Sequence, residues 1–146
     1  MGRMIGLVAT LALLLGGAAA WAQNRVPSGP ALESLVKSTL LSFNDANVTG
    51  IYTVFHARLS KPFRDQFPPE KLQKVFAEFR AKRIDVDPIA ALKPVYEPAP
   101  KVDEDGKLLV AGHFPTEPLR LVFSLEFIPS DGEWKLIGIN VKTVEP

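Results

Sequence analysis

The spacing of apolar residues changes once along this chain, and that change restricts the fold more than any other feature of the sequence. In the first half, apolar side chains recur every three or four residues, which is typical of a helix with one buried face. In the second half they alternate with polar side chains, which is typical of a strand with one buried face. A block of helices followed by a block of strands predicts an α+β fold, with the helices on one face of an antiparallel sheet.

Three helices are predicted in the first half. The first has Pro30 in its opening turn and is expected to end at Asn44–Asn47, because Asn and Asp side chains compete for backbone hydrogen bonds. A short second helix follows, with Thr49 as its cap. The third begins at Pro69, has a carboxylate in its first turn and extends to about Lys82.

Hairpin signals organise the second half. Asp105-Gly106 and Asp131-Gly132 are typical of tight turns between antiparallel strands. A proline within Leu92–Glu97 predicts an edge strand there. The other predicted strands are Lys107–Phe114, Leu119–Ile128 and Trp134–Val144. In the last of these, alternation assigns Ile137, Ile139, Val141 and Thr143 to one face and Trp134, Leu136, Gly138, Asn140 and Lys142 to the other.

The first 22 residues have the pattern of an export signal. Arg3 precedes the uncharged apolar run Ile5–Ala20, and Ala20-Trp21-Ala22 is a small-x-small cleavage site. The run is shorter than the ~20 residues of a membrane-spanning helix, and no Cys stands near the cleavage site to carry a lipid anchor. We therefore expect export, to a bacterial periplasm or the extracellular space. Within the exported chain, residues 23–30 are predicted to be a flexible leader and residues 31–146 a single domain.

Charge and cysteine content exclude several classes of function. The chain has 17 Lys and Arg and 16 Asp and Glu, and signal cleavage would remove Arg3, so the exported chain is close to neutral. Its charges are mixed and form no basic stripe, which argues against nucleic acid or an anionic membrane as a partner. The chain has no Cys, which removes thiol nucleophiles, thiolate metal sites and thiol redox chemistry.

Several segments, taken together, resemble the nuclear transport factor 2-like superfamily, most closely its small exported bacterial members. They are Phe43-Asn44-Asp45-Ala46-Asn47, Leu59-Ser60-Lys61-Pro62-Phe63-Arg64, the helix from Pro69 and the closing Gly132-Glu133-Trp134-Lys135-Leu136-Ile137-Gly138. The resemblance implies a cystatin-like cone, in which a curved sheet wraps around the helices. Such cones often have a central pocket and often dimerise through the sheet.

The resemblance does not choose between enzyme and binding domain. The superfamily includes isomerases, dehydratases and polyketide cyclases, and also non-catalytic binding or accessory domains. This chain departs from the usual arrangement at Ser60–Pro68, which is too short for the hairpin often found between the second and third helices. No set of residues matches a known catalytic member.

Six residues are candidates for lining a pocket: Tyr52, His56, Tyr96, Glu97, His113 and Trp134. The tyrosines and the tryptophan combine a large apolar ring with a hydrogen-bonding group, so they suit either a pocket or the core. The chain has two histidines, and each is either an acid–base group or a hydrogen-bonded structural residue. A carboxylate such as that of Glu97 acts as a general base only where it is desolvated or paired.

Metal and cofactor motifs are missing from the sequence. The histidines lack a metal-ligand spacing, and the acidic turn Asp103–Asp105 lacks the longer series of ligands of a calcium loop. No phosphate-binding loop or Ser/His/Asp motif is present. We therefore expect no metal and no cofactor.

The sequence favours an exported, non-enzymatic domain that binds a small apolar ligand or a protein partner, as a homodimer through the sheet. One alternative is an enzyme with a cone pocket, of the isomerase, dehydratase or hydrolase-like kind, that uses His56 or His113 with Tyr52 or Glu97. Another is a structural accessory subunit of an envelope complex. An open pocket that collects these residues favours the enzyme, whereas a pocket filled by Phe and Leu favours interaction or structure.

Overall fold

The computed structural model describes residues 25–146. The predicted signal peptide and the first two residues of the predicted leader lie outside this range. Within it, α-helices and one 3-10 helix precede a five-stranded antiparallel sheet. The α+β prediction is therefore confirmed. No helix in residues 25–146 has the length and apolar character needed to cross a membrane.

The helices are α1 (Gly29–Thr49), α2 (Thr53–Ala57), α3 (Lys61–Gln66), α4 (Pro69–Val75), α5 (Ala77–Ala81) and a 3-10 helix at Asp87–Ala91. The strands are β1 (Val95–Tyr96), β2 (Lys101–Val102), β3 (Leu108–Phe114), β4 (Arg120–Ser130) and β5 (Glu133–Val144). Both β1 and β2 pair with β3, β4 pairs with the other side of β3, and β5 forms the far edge.

Helix α1 is longer than predicted, because it continues through the Asn and Asp residues expected to end it. The side chain of Asn44 is buried and bonds to a distant segment instead of to its own backbone. Its Nδ2 donates to Asp87 Oδ1 at 2.9 Å, and its Oδ1 accepts from the Val86 N–H at 3.2 Å. The helix ends at Gly50, whose left-handed φ of 74° suits a glycine.

The expected third helix is divided at Phe76, so the prediction of three helices is not confirmed. Phe76 has φ −98° and ψ 14°, which separates α4 from α5. Its ring packs edge-on against Phe43 at 4.8 Å and parallel to Tyr52 at 6.2 Å. The change of direction therefore accompanies a packed aromatic contact with α1 and with the residue before α2.

Both predicted hairpin turns are present, whereas the first strand is shorter than predicted. Asp131 and Gly132 have φ of 56° and 80°, the left-handed pair that a two-residue hairpin needs. Strand β1 covers only Val95–Tyr96 of the predicted Leu92–Glu97. It passes so close to β3 that a Cβ on Gly112 would lie 1.9 Å from the Val95 carbonyl oxygen.

A β-bulge corrects the predicted faces of β5. Glu126 pairs with Gly138 but Phe127 pairs with Leu136, so Ile137 is an additional residue on β5. Because one additional residue reverses the alternation, Leu136 lies on the same face as Ile139 and not on the opposite one. That face packs on the core and also includes Trp134 and Val141.

The space between the helices and the sheet is filled by side chains. The largest residues with under 2% exposure include Tyr52, Phe43, Phe55, Phe114, Phe123 and Phe127. They come from α1, the segment before α2, α2 itself, β3 and β4, so the core joins the two layers. A depression of about 220 Å³ lies between α1 and the start of β5, and Leu35, Phe127 and Trp134 are among the residues that line it.

Candidate functional site

The six predicted pocket residues lie in different parts of the structure and do not converge. Tyr52 is in the core near the end of α1, and Tyr96 lies on β1. His56 lies on α2, where its Nε2 is 3.1 Å from the carbonyl oxygen of Arg64. Trp134 packs against the core at the start of β5. Only Glu97 and His113 line one and the same depression.

Tyr52 is part of a polar network at the end of α1. Its hydroxyl donates to Asn47 Oδ1, and Arg80 Nη1 lies 3.4 Å from the hydroxyl oxygen. Burial raises the pKa of Tyr52, and hydrogen bonding and attraction by Arg80 lower it by less. The phenol is therefore held neutral and acts as a donor to Asn47.

Tyr96 has a buried hydroxyl without a hydrogen-bond partner among the described residues. Burial is the main cause that raises the pKa of this phenol, and the nearby charge of Glu33 raises it further. Glu33 belongs to α1, so the ring lies between the sheet and the first helix. Tyr96 therefore packs against the core, and its hydroxyl makes no hydrogen bond to His113 or Glu97.

Glu97 and His113 lie on the face of the sheet that points away from the helices. His113 is half-buried between the buried residues Gly112 and Phe114, and Glu97 is exposed. They border a depression of about 500 Å³, which also includes Arg120 and Lys142. The exposed Glu97 lacks the desolvation or pairing that a general base requires.

The edge of the sheet at β5 is a site that the sequence did not reveal. Leu59 and Ser60 cover its beginning, where the Ser60 N–H donates to the Leu136 carbonyl at 2.9 Å. From Gly138 to Val144, β5 pairs with β4 on one side and with nothing else among the described residues. A free edge of this kind presents unpaired backbone donors and acceptors.

A groove with both apolar and polar lining residues runs beside this free edge. It has a volume of about 390 Å³ and lies between α4, α5 and β5. Its apolar lining consists of Phe43, Val75, Phe76, Phe79, Ile139 and Val141, with Glu78, Lys82 and Asn140 as its polar residues. Val75 is 52% exposed, which is high for an aliphatic side chain that lines a groove. The free edge and this apolar lining together form what we call the β5 groove.

The alternation of the sequence could not indicate the β5 groove. Val75 and Phe79 belong to the predicted third helix, where apolar side chains are expected to face the core. No sequence signal marks the bulge, which places Leu136 on the same face as Ile139. The one available signal was that β5 comes last in the chain and follows a hairpin, which leaves one of its edges without a sequential neighbour.

In residues 25–146, no three His, Cys, Asp or Glu side chains form a group that could hold a metal ion. In the acidic turn Asp103–Asp105, the first carboxylate accepts hydrogen bonds from the backbone of the turn itself. Asp103 Oδ1 accepts from the N–H groups of Asp105 and Lys107, both at 2.9 Å.

Comparisons with known proteins provide no assignment. No protein-family model matches this chain, no curated protein matches it significantly in sequence, and no solved structure matches it significantly in fold. The function therefore has to be argued from the geometry of the chain itself.

Proposed function

We propose that this chain is an exported, non-enzymatic binding domain that associates through the β5 groove, and that the occupant of the groove is a second copy of the chain. The observation that carries the proposal is the free edge of β5 from Gly138 to Val144 beside an apolar lining. The export part of the proposal rests on the pattern of residues 1–22.

A free edge beside a groove that contains apolar side chains suits the addition of a strand. The backbone of an added strand supplies hydrogen bonds to the edge, and its alternate side chains enter the groove beside it. Long free edges are usually shielded by charge, proline or covering segments because they otherwise pair with other chains. Between Gly138 and Val144 the sequence has one charged residue, Lys142, and no proline.

Strand β5 of a second copy has apolar side chains on the face that would enter the groove. Ile139 and Val141 point to the helix side of the sheet, so the same residues of an antiparallel second copy would point into the groove of the first. A two-fold axis makes such an interface self-complementary. An antiparallel pair centred on Val141 places Lys142 opposite Asn140, so the two lysines do not face each other.

The alternatives are less well supported by the geometry. A cone-pocket enzyme needs converging catalytic residues, but the six candidates lie apart and only the exposed Glu97 accompanies His113. A structural accessory subunit would use the same β5 groove with a different partner. We also propose that the chain is a member of the nuclear transport factor 2-like superfamily. Two features support this: the order of helices before an antiparallel sheet, and the sequence of the segment Gly132–Gly138.

The test is the oligomeric state of the purified protein across a range of concentrations, measured by sedimentation velocity. The substitution Val75→Asp adds a charge to the β5 groove at a half-exposed position, so it opposes association without emptying the core. We expect a dimer that dissociates about tenfold more readily in this variant. Val54→Asp is the matched control, because Val54 is 71% exposed and lies on α2, outside the groove.

Hydrogen exchange locates the interface independently. In the dimer, backbone amides of β5 between residues 138 and 144 should exchange more slowly than in the dissociated protein, because new inter-strand bonds protect them. A protein that stays monomeric at high concentration would refute the second copy as occupant. A dimer weakened equally by Val54→Asp and Val75→Asp would place the interface elsewhere.

A further inference from the structure

We propose that a second cleft, which shares only Phe79 with the β5 groove, binds the carboxylate of a small amphipathic acid. The cleft lies where the end of α1 meets α5 and the turn that follows it. Its volume is about 360 Å³, within the range of small-molecule sites. It is lined by Asn47, Val48, Phe79, Arg80, Arg83, Ile84 and Asp85, and its polar residues lie outside the β5 groove.

The first step of the argument is an unused hydrogen-bond donor. The Nδ2 of Asn47 is buried and has no hydrogen-bond partner in the described part of the chain, although the Oδ1 of the same amide accepts from the Tyr52 hydroxyl. An amide nitrogen carries two N–H donors, and a buried donor without an acceptor destabilises the fold. Because Asn47 also lines the cleft, an acceptor bound beside it would give this donor the hydrogen bond that the protein does not make for itself.

Two guanidinium groups in the cleft favour an acceptor that is an anion. Arg80 is half-buried, and its guanidinium lies 5.7 Å from the centre of the Tyr52 ring, close to the Tyr52 hydroxyl. Arg83 is exposed and lines the same cleft. Because contact with Tyr52 already restrains Arg80, a ligand loses less side-chain freedom when it binds there, and a planar carboxylate matches the guanidinium.

The third charged group in the cleft is Asp85, and it limits the charge of the ligand. Its Oδ1 accepts from the Asp87 N–H at 3.0 Å, so this carboxylate already has a bond to the backbone. With Arg80 and Arg83 opposite one Asp, the lining has a net charge of one positive unit. A single carboxylate balances that charge, whereas a phosphate or dicarboxylate would exceed it.

The rest of the lining is apolar and determines what is attached to the carboxylate. Phe79 and Ile84 are half-buried, and Val48 is 74% exposed at the rim. An aliphatic residue this exposed gains burial when a hydrocarbon chain covers it. The lining thus combines a polar end for a carboxylate with an apolar wall for a short hydrocarbon chain.

Octanoate is a suitable probe, with octanol as the uncharged control of equal chain length. We would titrate each into ¹⁵N-labelled protein and follow the Asn47 side-chain amide and the Arg83 backbone amide by NMR. We expect octanoate to shift both signals in a saturable way and octanol to bind at least about tenfold more weakly, because charge-assisted bonds are lost. Absence of saturable shifts at these two residues would overturn the site.

Three variants separate the carboxylate contacts from a general effect of charge. Asn47→Asp keeps an oxygen for the Tyr52 hydroxyl but replaces the N–H donors with a negative charge, and Arg83→Gln removes a cation at an exposed position. Each should weaken octanoate binding by about tenfold or more. Lys74→Gln removes an exposed cation outside the cleft and should leave binding unchanged. Equal binding by all variants, or equal weakening by Lys74→Gln and Arg83→Gln, would contradict the proposal.

Discussion

At the residue scale, the asparagines of α1 show what a single sequence conceals. An Asn-Asp-Ala-Asn segment is typical of a helix end because these side chains bond to the local backbone. In the structure, Asn44 bonds instead to Val86 and Asp87, more than 40 residues away in the chain. Since its polar atoms are satisfied by another segment, the helix continues. Only the tertiary structure could have predicted this outcome.

The two tyrosines give a residue-scale prediction about pH. Burial raises the pKa of both Tyr52 and Tyr96 above the ordinary value of about 10. The chain has two tyrosines, so the absorbance of phenolate reports these residues alone. We expect phenolate to form at higher pH in the folded protein than in urea-unfolded protein, and Tyr52→Phe should remove one of the two transitions.

The same shifts predict how stability depends on pH. A folded-state pKa above the unfolded value means that the folded protein retains its phenol protons longer, so this stabilisation is complete below about pH 10. It is lost as pH rises through the folded-state pKa. Tyr52→Phe should therefore show a smaller loss of unfolding free energy above pH 10 than the parent protein. A loss of the same size in both would show that Tyr52 titrates normally.

At the element scale, local signals predicted the turns, and long-range packing determined the rest. The Asp-Gly turns need left-handed backbone at fixed positions, so two residues suffice to indicate each hairpin. The bulge at Ile137 has no such signature, because its effect is to shift pairing with Phe127 on another strand. The division of the predicted third helix at Phe76 likewise accompanies contacts with Phe43 and Tyr52, which lie far away in the chain.

The β4–β5 hairpin gives an element-scale prediction. Gly132 has φ of 80° and open space around the position of a Cβ, so only backbone strain opposes Gly132→Ala. We expect this substitution to lower the free energy of unfolding by about 1–2 kcal/mol, measured by urea denaturation. The control is Gly29→Ala, also in open space but in helical backbone, which should be neutral or slightly stabilising. Equal effects of the two substitutions would show that the turn tolerates a side chain.

The candidate sites were missed at this scale for the same reason. Arg80 and Arg83 stand in a short basic segment that is typical of a solvated helix end, and their spacing indicates no binding site. We propose a carboxylate site at these residues because the fold brings Asn47 from the end of α1 to the same cleft. Of the six predicted pocket residues, Tyr52, Tyr96 and Trp134 pack in or against the core. A fourth, His56, contacts a backbone carbonyl oxygen.

At the scale of the whole molecule, one aromatic cluster joins the helices to one another above the sheet. Phe43 on α1 contacts Phe55 at 5.6 Å, Phe76 at 4.8 Å and Phe79 at 5.1 Å. These partners lie on α2, at the α4–α5 boundary and on α5. Three rings of this cluster, Phe43, Phe76 and Phe79, also line the β5 groove, so the packing of the helical layer helps to shape that groove.

The cluster also predicts the most damaging single truncation in the helical layer. Phe43 is 1% exposed, so Phe43→Ala removes buried surface and leaves a cavity shared by four helical elements. We expect a loss of about 3–5 kcal/mol, a large part of the roughly 5–15 kcal/mol that stabilises a domain of this size. Phe67→Ala is the matched control, since Phe67 is only half-buried, packs on Phe63 at 5.2 Å and is not one of the rings that contact Phe43. Its cost should be about 1 kcal/mol. If urea denaturation gave equal losses for the two variants, the contacts of Phe43 would not be what holds the helices of this layer together.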